Sequence, residues 1–490
     1  MKRWAIALGL LLTGVVGGVV AAVQAIPLVE QHLVRQIRAR LEQRADIKVT
    51  EISIDLLKRR ITLIEAAVWA HLDEEPVMAA ERVEVRGVGW PLAELLAGRT
   101  PFSGWKLGDP VNAERIEALN LMVNEGQGVK WNAESAVIEG VELSRYRADQ
   151  PALGAHFLSA LKVRRIDAHN VTFESDTGEG MRVFTTSVAV DNVNRGRIAT
   201  VTFLDTGISD PAAEGDTPAL SVEEVTLSDI DLTPVLDNRK AGKATGRPLT
   251  KTISLSGFGG DLMKRYSVSF DRILVETVRE SADVTRTKAR AEGLAVRPPE
   301  GIAGLAMRIA MMSIGLSEIT ASLECAGRED RNKAELEVGK CVLNSPGLAE
   351  ASFTARIVDG DEAFWQALDG GNSLTLADSK AALGSVELMV RDDSLLGRLV
   401  KLYADTSGQE VAAARRQLAG EIRRFAPTDV LITEDLGKIL DAVARFVERG
   451  GTLTVTAKPE PALTFERLLA LQGNGPDLVD LLGLKAVQSR

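Results

Sequence analysis

The segment Arg165-Ile166-Asp167-Ala168-His169-Asn170-Val171-Thr172-Phe173 alternates polar and apolar side chains almost residue by residue. In an extended chain successive side chains point to opposite sides, so this segment predicts a strand with one apolar and one polar face. Nearly the same pattern returns in Glu224-Val225-Thr226-Leu227-Ser228-Asp229-Ile230-Asp231-Leu232. Shorter pieces of the same kind occur at Val83-Glu84-Val85, Ile116 through Leu121, and Val137 through Leu143. Further upstream Ile47 and Val49, then Ile52 and Ile54, then Ile61 and Leu63 keep a period of two, with a phase slip near Glu51. Such a slip predicts a bulge or a short break. The pieces are unevenly spaced, so a strict repeat does not follow.

Strands that keep returning without long helices between them predict a mainly β body, a long antiparallel meander. Its apolar face must be covered by a second sheet, by helices or by lipid. Helices are expected near Pro91 to Ala97 and Ala152 to Leu161, and polar linkers at Asp205 to Pro218, Asp237 to Leu249 and Arg297 to Gly304. Ser254 to Asp261 carries Gly257, Gly259 and Gly260 without the Lys-Ser end of a phosphate-binding loop, and is read as a turn.

Beyond Gly301 the texture changes to an α+β region. Strands are predicted at Met312 to Leu323, Ala334 to Leu343, Ala351 to Val358, Ser385 to Val390 and Thr452 to Ala457. Helices are predicted at Glu362 to Leu368, Leu395 to Ala404, Gly408 to Phe425, Glu434 to Glu448, Phe465 to Leu471 and Asp477 to Leu482. The expected organisation is therefore an anchor at 1–26, a β-rich region at 27–300 and an α+β region at 301–490.

The anchor is the run Trp4 to Val23, which holds no charged residue and follows Lys2 and Arg3. About 20 apolar residues cross a bilayer core, which predicts a transmembrane helix. The competing reading is a cleaved export signal ending near Val23-Gln24-Ala25, but signal cores are shorter. Lys2 and Arg3 face Arg35 and Arg38 across the span, nearly a tie by the positive-inside rule. The inside placement of the N-terminal end is chosen because the segment reads as an uncleaved export signal. After Pro27, Leu28, Val29, Leu33, Val34, Ile37 and Leu41 recur at helical spacing, an amphipathic helix leaving the bilayer.

Charge and cysteines narrow the setting. A net charge of −10 opposes a polyphosphate partner, so nucleic acid is not expected. Aromatic residues are only 4%, so the core is filled with aliphatic side chains. The two cysteines, Cys325 and Cys341, flank a hairpin turn around Glu329-Asp330-Arg331-Asn332. A turn centred near Lys333 sets Cys325 opposite Cys341 and Leu323 opposite Leu343, where a disulfide can form. A turn centred two residues earlier leaves two buried free thiols. A bridge would call for an oxidising compartment such as the bacterial periplasm.

The Trp4–Val23 span, the helix after it, and the opening Ile47-Lys48-Val49-Thr50, Arg60-Ile61-Thr62-Leu63 and Val68-Trp69-Ala70 resemble the AsmA superfamily of bacterial envelope proteins. The resemblance covers about the first 70 residues and the strand-rich texture, and no catalytic motif carries it. It implies an inner-membrane anchor, a curved, groove-forming periplasmic sheet, and a part in phospholipid homeostasis. The helices from Leu395 to Glu448 depart from that pattern, and the length argues against spanning the whole periplasm unaided.

Enzyme chemistry is not expected. His32, His71, His156 and His169 have no second ligand at metal-binding spacing, and no Gly-x-Ser-x-Gly nucleophile elbow occurs. The acidic clusters Asp73-Glu74-Glu75 and Asp359 to Glu362 read as solvated turns, and Asp392 and Asp393 as a helix cap. No catalytic, cofactor or metal residues are assigned. The expected function is a single-pass inner-membrane protein, held in lipid through Trp4 to Val23, whose periplasmic body binds or moves phospholipid along an apolar sheet face. The alternative is a non-enzymatic envelope scaffold with a closed core.

Overall fold

The computed structural model describes residues 26–39, 47–69, 75–76, 78–88, 109–126, 129–146, 155–175, 182–209, 218–240, 249–281, 283–299, 301, 304–370, 376, 378–425, 434–470 and 478–489. The Trp4–Val23 span, the helix expected at Pro91 to Ala97, His71, Asp73 and Glu74 lie outside the described residues. Among the described residues no helix is long and apolar enough to cross a membrane. They form two compact units, one running to Ala219 and including Thr226–Leu249, the other made of Leu220–Val225 and the chain from Thr250 onward.

In the first unit, helix α1 (residues 26–39) precedes a meander of β1 (Ile47–Asp55), β2 (Arg60–Val68), β3 (Met78–Arg86), β4 (Val111–Gly126) and β5 (Val129–Leu143). It continues through helix α2 (Ala155–Ala160), β6 (Leu161–Ser175), β7 (Arg182–Asn194) and β8 (Arg197–Ser209). Strand β9 (Leu220–Asp231) is divided between the units and leads into helix α3 (Thr233–Lys240). Each strand from β1 to β8 pairs antiparallel with the next. The strands are longer than the alternating pieces suggest, and β7 and β8 lie outside the pieces singled out in the sequence. β8 also runs through Ser209, into the stretch expected to be a linker.

The length is achieved by a device that interrupts the alternation. Glu65 in β2, Asn120 in β4, Asn170 in β6 and Asp205 in β8 adopt left-handed backbone angles, with φ of 49°, 48°, 48° and 50°. Asn and Asp tolerate this region better than other residues with a β-carbon. The pairs on either side keep one register, Glu51 with Ile64 and Val49 with Ala66, or Ser135 with His169 and Ala133 with Val171. Apolar residues three apart, Ala118 and Leu121 on either side of Asn120, belong to one cluster with Ala80, Val83, Ala136 and Ala168. Side chains tie three of the four left-handed positions to the strand before, Thr50 donating to Glu65, Asn120 to Glu81 and Asn170 to Glu134. The slip read near Glu51 in β1 lies opposite the first of these positions, Glu65 in β2. Asp229 in β9, at φ 53°, occupies the place of Asn170 in the near-repeat.

The second unit runs through β10 (Leu249–Gly259), α4 (Asp261–Tyr266), β11 (Val268–Ser269), β12 (Arg272–Ser281), β13 (Val284–Val296), α5 (Leu305–Ser313), β14 (Ile319–Asp330), β15 (Glu335–Ser345) and β16 (Ala349–Val358). It continues with α6 (Glu362–Gly370), β17 (Ala382–Asp392), α7 (Leu395–Ser407), α8 (Val411–Arg424), α9 (Glu434–Arg449), β18 (Gly451–Ala457), β19 (Leu463–Thr464), α10 (Phe465–Ala470), α11 (Leu478–Leu481) and β20 (Lys485–Ser489). From β12 to β18 each strand pairs antiparallel with the next, and β18 also pairs with β20. The α+β texture expected beyond residue 301 is present.

Two local expectations are corrected. The strand predicted at Met312 to Leu323 begins only at Ile319, because Leu305–Ser313 is a helix that ends at Ile314-Gly315, with Gly315 at φ +73°. Ser254 to Gly259 is not a turn but the end of β10, and Gly257 at φ +70° lies where a β-carbon would meet the Glu223 side chain at 2.4 Å.

The core of the second unit gathers under α6. Phe364, Trp365 and Ala381 are buried together against Leu336, Ile357, Leu376 and Phe465. Asp361 caps the helix, accepting from the Phe364 amide at 3.1 Å, and the Trp365 indole donates to the Gly360 carbonyl at 3.0 Å. Helices α7 and α8 join through Val400, Ala404 and Ala414. Arg423 fastens α8 to α9 through Glu448 at 2.8 Å and Asp441 at 3.0 Å.

Candidate functional site

The meander of the first unit separates its side chains by chemistry. Ile54 opposes Ile61, Ile61 opposes Val85, and Val85 opposes Ile116. From there Ile116 opposes Ile138, Ile138 opposes Ile166, Ile166 opposes Val190 and Val190 opposes Val201. Directly opposed residues share a face, so an unbroken apolar row crosses the unit from β1 to β8. A parallel row runs two residues away, through Leu63, Val83, Ala118, Ala136, Ala168, Val188 and Phe203. Past the left-handed positions, Trp131 and Phe173 stack edge to face at 4.7 Å. Ile116, Ile138, Ile166 and Val190 remain half-buried. Among the described residues the helices α2 and α3 pack on each other rather than across these rows.

The opposite face is an ion-pair ladder. Arg60, Arg82 and Arg86 surround Glu84 at 3.6, 2.9 and 2.5 Å, and Arg115 reaches Glu117 at 2.6 Å and Glu139 at 3.0 Å. Arg165 continues it to Asp167 at 2.7 Å and Asp191 at 3.3 Å. Glu84 is the buried rung, its side chain 5% exposed. Burial pushes its carboxyl up, but the guanidinium groups of Arg86, Arg60 and Arg82 outweigh this and hold it below its ordinary value. Its contribution is then complete above the unfolded carboxyl value and is lost as pH falls through the lower folded one. Glu84→Gln is expected to cost about 1–3 kcal/mol at neutral pH, between exposed and buried pairs. The gap from wild type should narrow as denaturant melts are repeated at pH 4 and below; a pH-independent gap would refute the assignment.

The second unit presents its own apolar rows. Cys325 opposes Cys341, Cys341 opposes Phe353, Phe353 opposes Leu388 and Leu388 opposes Val455. Beside them Leu323 opposes Leu343, and Leu343 opposes Ala351. Leu323, Leu343, Phe353 and Leu388 are 37%, 42%, 38% and 41% exposed, high values for side chains of this size in a sheet. Cys325 and Cys341 are joined as a disulfide on this face. The turn after β14 spans residues 331–334, which gives the register centred near Lys333.

The other residues singled out in the sequence serve structural ends where they are described. Asp392 accepts from the Leu396 amide at 2.7 Å at the start of α7, and Asp393 pairs with Arg391 at 3.3 Å. His32 bonds Gln36 at 2.9 Å within α1, while His156 lies in α2 and His169 on β6, not together. Among the described residues no three His, Cys, Asp or Glu side chains are grouped to hold a metal. Sequence reasoning missed a basic cavity of about 430 Å³ lined by Ser144, Arg145, Tyr146, His156, Ser159 and Arg195, since these residues come from two connections far apart in sequence, β5 to β6 and β7 to β8.

A family model described as "Uncharacterized protein" matches residues 342–489, the part of the second unit from within β15 to β20. No curated protein matches the chain.

Proposed function

We propose that this chain is a membrane-anchored protein of the bacterial envelope that binds or carries phospholipid, with acyl chains laid along the apolar rows of its sheets. The single observation that carries the reading is the unbroken apolar row from Ile54 to Val201, opposed on the other face by charged rungs. An amphipathic sheet of this kind must cover one face. Helix α1 buries Leu33 beside the β1–β2 end, where Ile54 and Ile61 are buried, while α2 and α3 pack on each other and Ile116, Ile138, Ile166 and Val190 stay half-buried. An acyl chain gains about 0.8 kcal/mol for each CH₂ it buries, so a few turns of contact along such a row hold a lipid reversibly. A curved, groove-forming sheet beyond an inner-membrane helix is what the resemblance to the AsmA superfamily implies, and Trp4 to Val23 supplies the anchor in this reading.

The test is mass spectrometry of the full chain purified in detergent. Stoichiometric phospholipid is the expected result; its absence would favour a scaffold with a closed core. The periplasmic placement has a separate check. Cys325 and Cys341 are the only cysteines, so thiol titration of the denatured, unreduced protein should find no free thiol and reduction should release two. Two free thiols before reduction would remove the support for an oxidising compartment.

A further inference from the structure

The cavity of about 430 Å³ lies at one end of the first unit's strands. Ser144 follows β5, Ala160 precedes β6, and Arg195 is in the turn between β7 and β8. That turn is held against β6, the Arg195 amide donating to the Leu161 carbonyl at 2.8 Å, while the Ser144 amide donates to the Ala160 carbonyl at 3.1 Å. Tyr146 packs edge to face on Phe157 at 5.7 Å and fixes one wall. Arg195 is therefore presented by a turn that is bonded to β6, and Ser144, next to Arg145, by backbone that is bonded to the end of α2.

Cationic character dominates the lining. Arg145 pairs with Asp109 at 3.1 Å and is otherwise open, its side chain 78% exposed. The Arg195 guanidinium and the His156 imidazole have no side-chain partner among the described residues. An unpaired guanidinium beside a second one and an imidazole is a setting for an anion with oxygens on several sides. A phosphate ester can offer oxygens to two guanidinium groups from different connections at once, whereas a carboxylate presents two coplanar oxygens to one fork.

The position of the cavity adds a second argument. The row Arg60, Arg86, Arg115, Glu139, Arg165 and Asp191 is continuous across the sheet, so the turn at Leu56–Arg59 lies at the same strand ends as the cavity. The Leu56 amide donates to Glu30 of α1 at 2.8 Å, which ties this end to the start of α1, directly after the proposed membrane span. The apolar row starts one residue inside this end at Ile61 and lies five residues inside it at Ile138 and Ile166, on the strands that flank the cavity.

We propose that Arg195, His156 and Arg145 form a phosphate-binding site, whose ligand is a phosphate group either of a phospholipid headgroup or free in solution. The lipid source rests on the function proposed above; the phosphate chemistry does not. The full chain in dodecyl maltoside is mixed with dioleoylphosphatidylglycerol or with dioleoylglycerol, which lacks the phosphate, and retention is read by native mass spectrometry. Arg195→Gln, and separately His156→Gln, should lower phosphatidylglycerol retention, by about tenfold for Arg195→Gln, and leave dioleoylglycerol unchanged. Arg195→Lys should restore part of the loss. Calorimetry with inorganic phosphate separates the sources: saturable binding lost in Arg195→Gln supports the site with free phosphate as a ligand, and phospholipid dependence without it supports the headgroup. If the wild type retains neither lipid yet binds phosphate through Arg195, the lipid function falls and this site stands. Equal loss of both lipids, or unchanged phosphatidylglycerol retention together with no phosphate binding, overturns the proposal.

Discussion

Ile138→Asp is expected to reduce the phospholipid recovered with the full chain by about tenfold or more, because a carboxylate under an acyl chain must be buried unpaired. Ile138 occupies the middle of the apolar row, between Ile116 and Ile166, and is half-buried, so the sheet should tolerate the change. Its neighbour in sequence provides the control. Val137 opposes Glu117 and Asp167 on the charged face, and Val137→Ser should leave lipid recovery unchanged. Lipid per protein is measured by mass spectrometry, with circular dichroism to confirm that both variants fold. Equal recovery from the two would show that the face plays no part in holding lipid.

Phe364→Ala should destabilise the second unit by about 3–5 kcal/mol, the usual cost of removing a buried aromatic ring. Phe364 is 1% exposed and sits against Trp365 at 4.8 Å between ring centres, with Ala381 completely buried beside it. The ring belongs to the cluster under α6, packed with Trp365 and Ala381 against Leu336, Ile357, Leu376 and Phe465. Phe353 belongs to the open apolar rows and is 38% exposed, so Phe353→Ala should cost about 1 kcal/mol or less. Denaturant midpoints of the two variants measure the contrast. Equal shifts would mean that the open rows and the core under α6 are packed alike.

Much of the sheet could be read from residue order because a two-residue period is a direct image of a strand's two faces. Arg165 to Phe173 and the hairpin before Ala334 were legible for this reason, although the sequence allowed two turn positions and only the structure selects the register that sets Cys325 opposite Cys341. The period misleads where the backbone changes hand. Around Asn120 and Asn170 the apolar residues move from even to odd positions, so a piece read through either one does not keep a single alternating face. Glycine misled in the opposite sense: Gly257 marks a close approach to Glu223 within β10, but in sequence it has the look of a turn. Leu305 to Ser313 is apolar without a clear period, so a helix and a strand were equally compatible with it. The cavity around Arg195 was not legible at all, since only the meander brings residues 145, 156 and 195 together.

Left-handed positions recur in β2, β4, β6 and β8, three of them tied by a side chain to the strand just before, and again at Gly140 in β5 and Asn192 in β7. Each hairpin thus brings its own correction of phase and borrows none from farther away. Copying or deleting a whole hairpin would leave the oily stripe aligned, whereas inserting one residue would throw it onto the charged side. Evolution can consequently adjust the reach of such a protein in paired-strand increments, like lengthening a ladder by sections, without redesigning the sections already present.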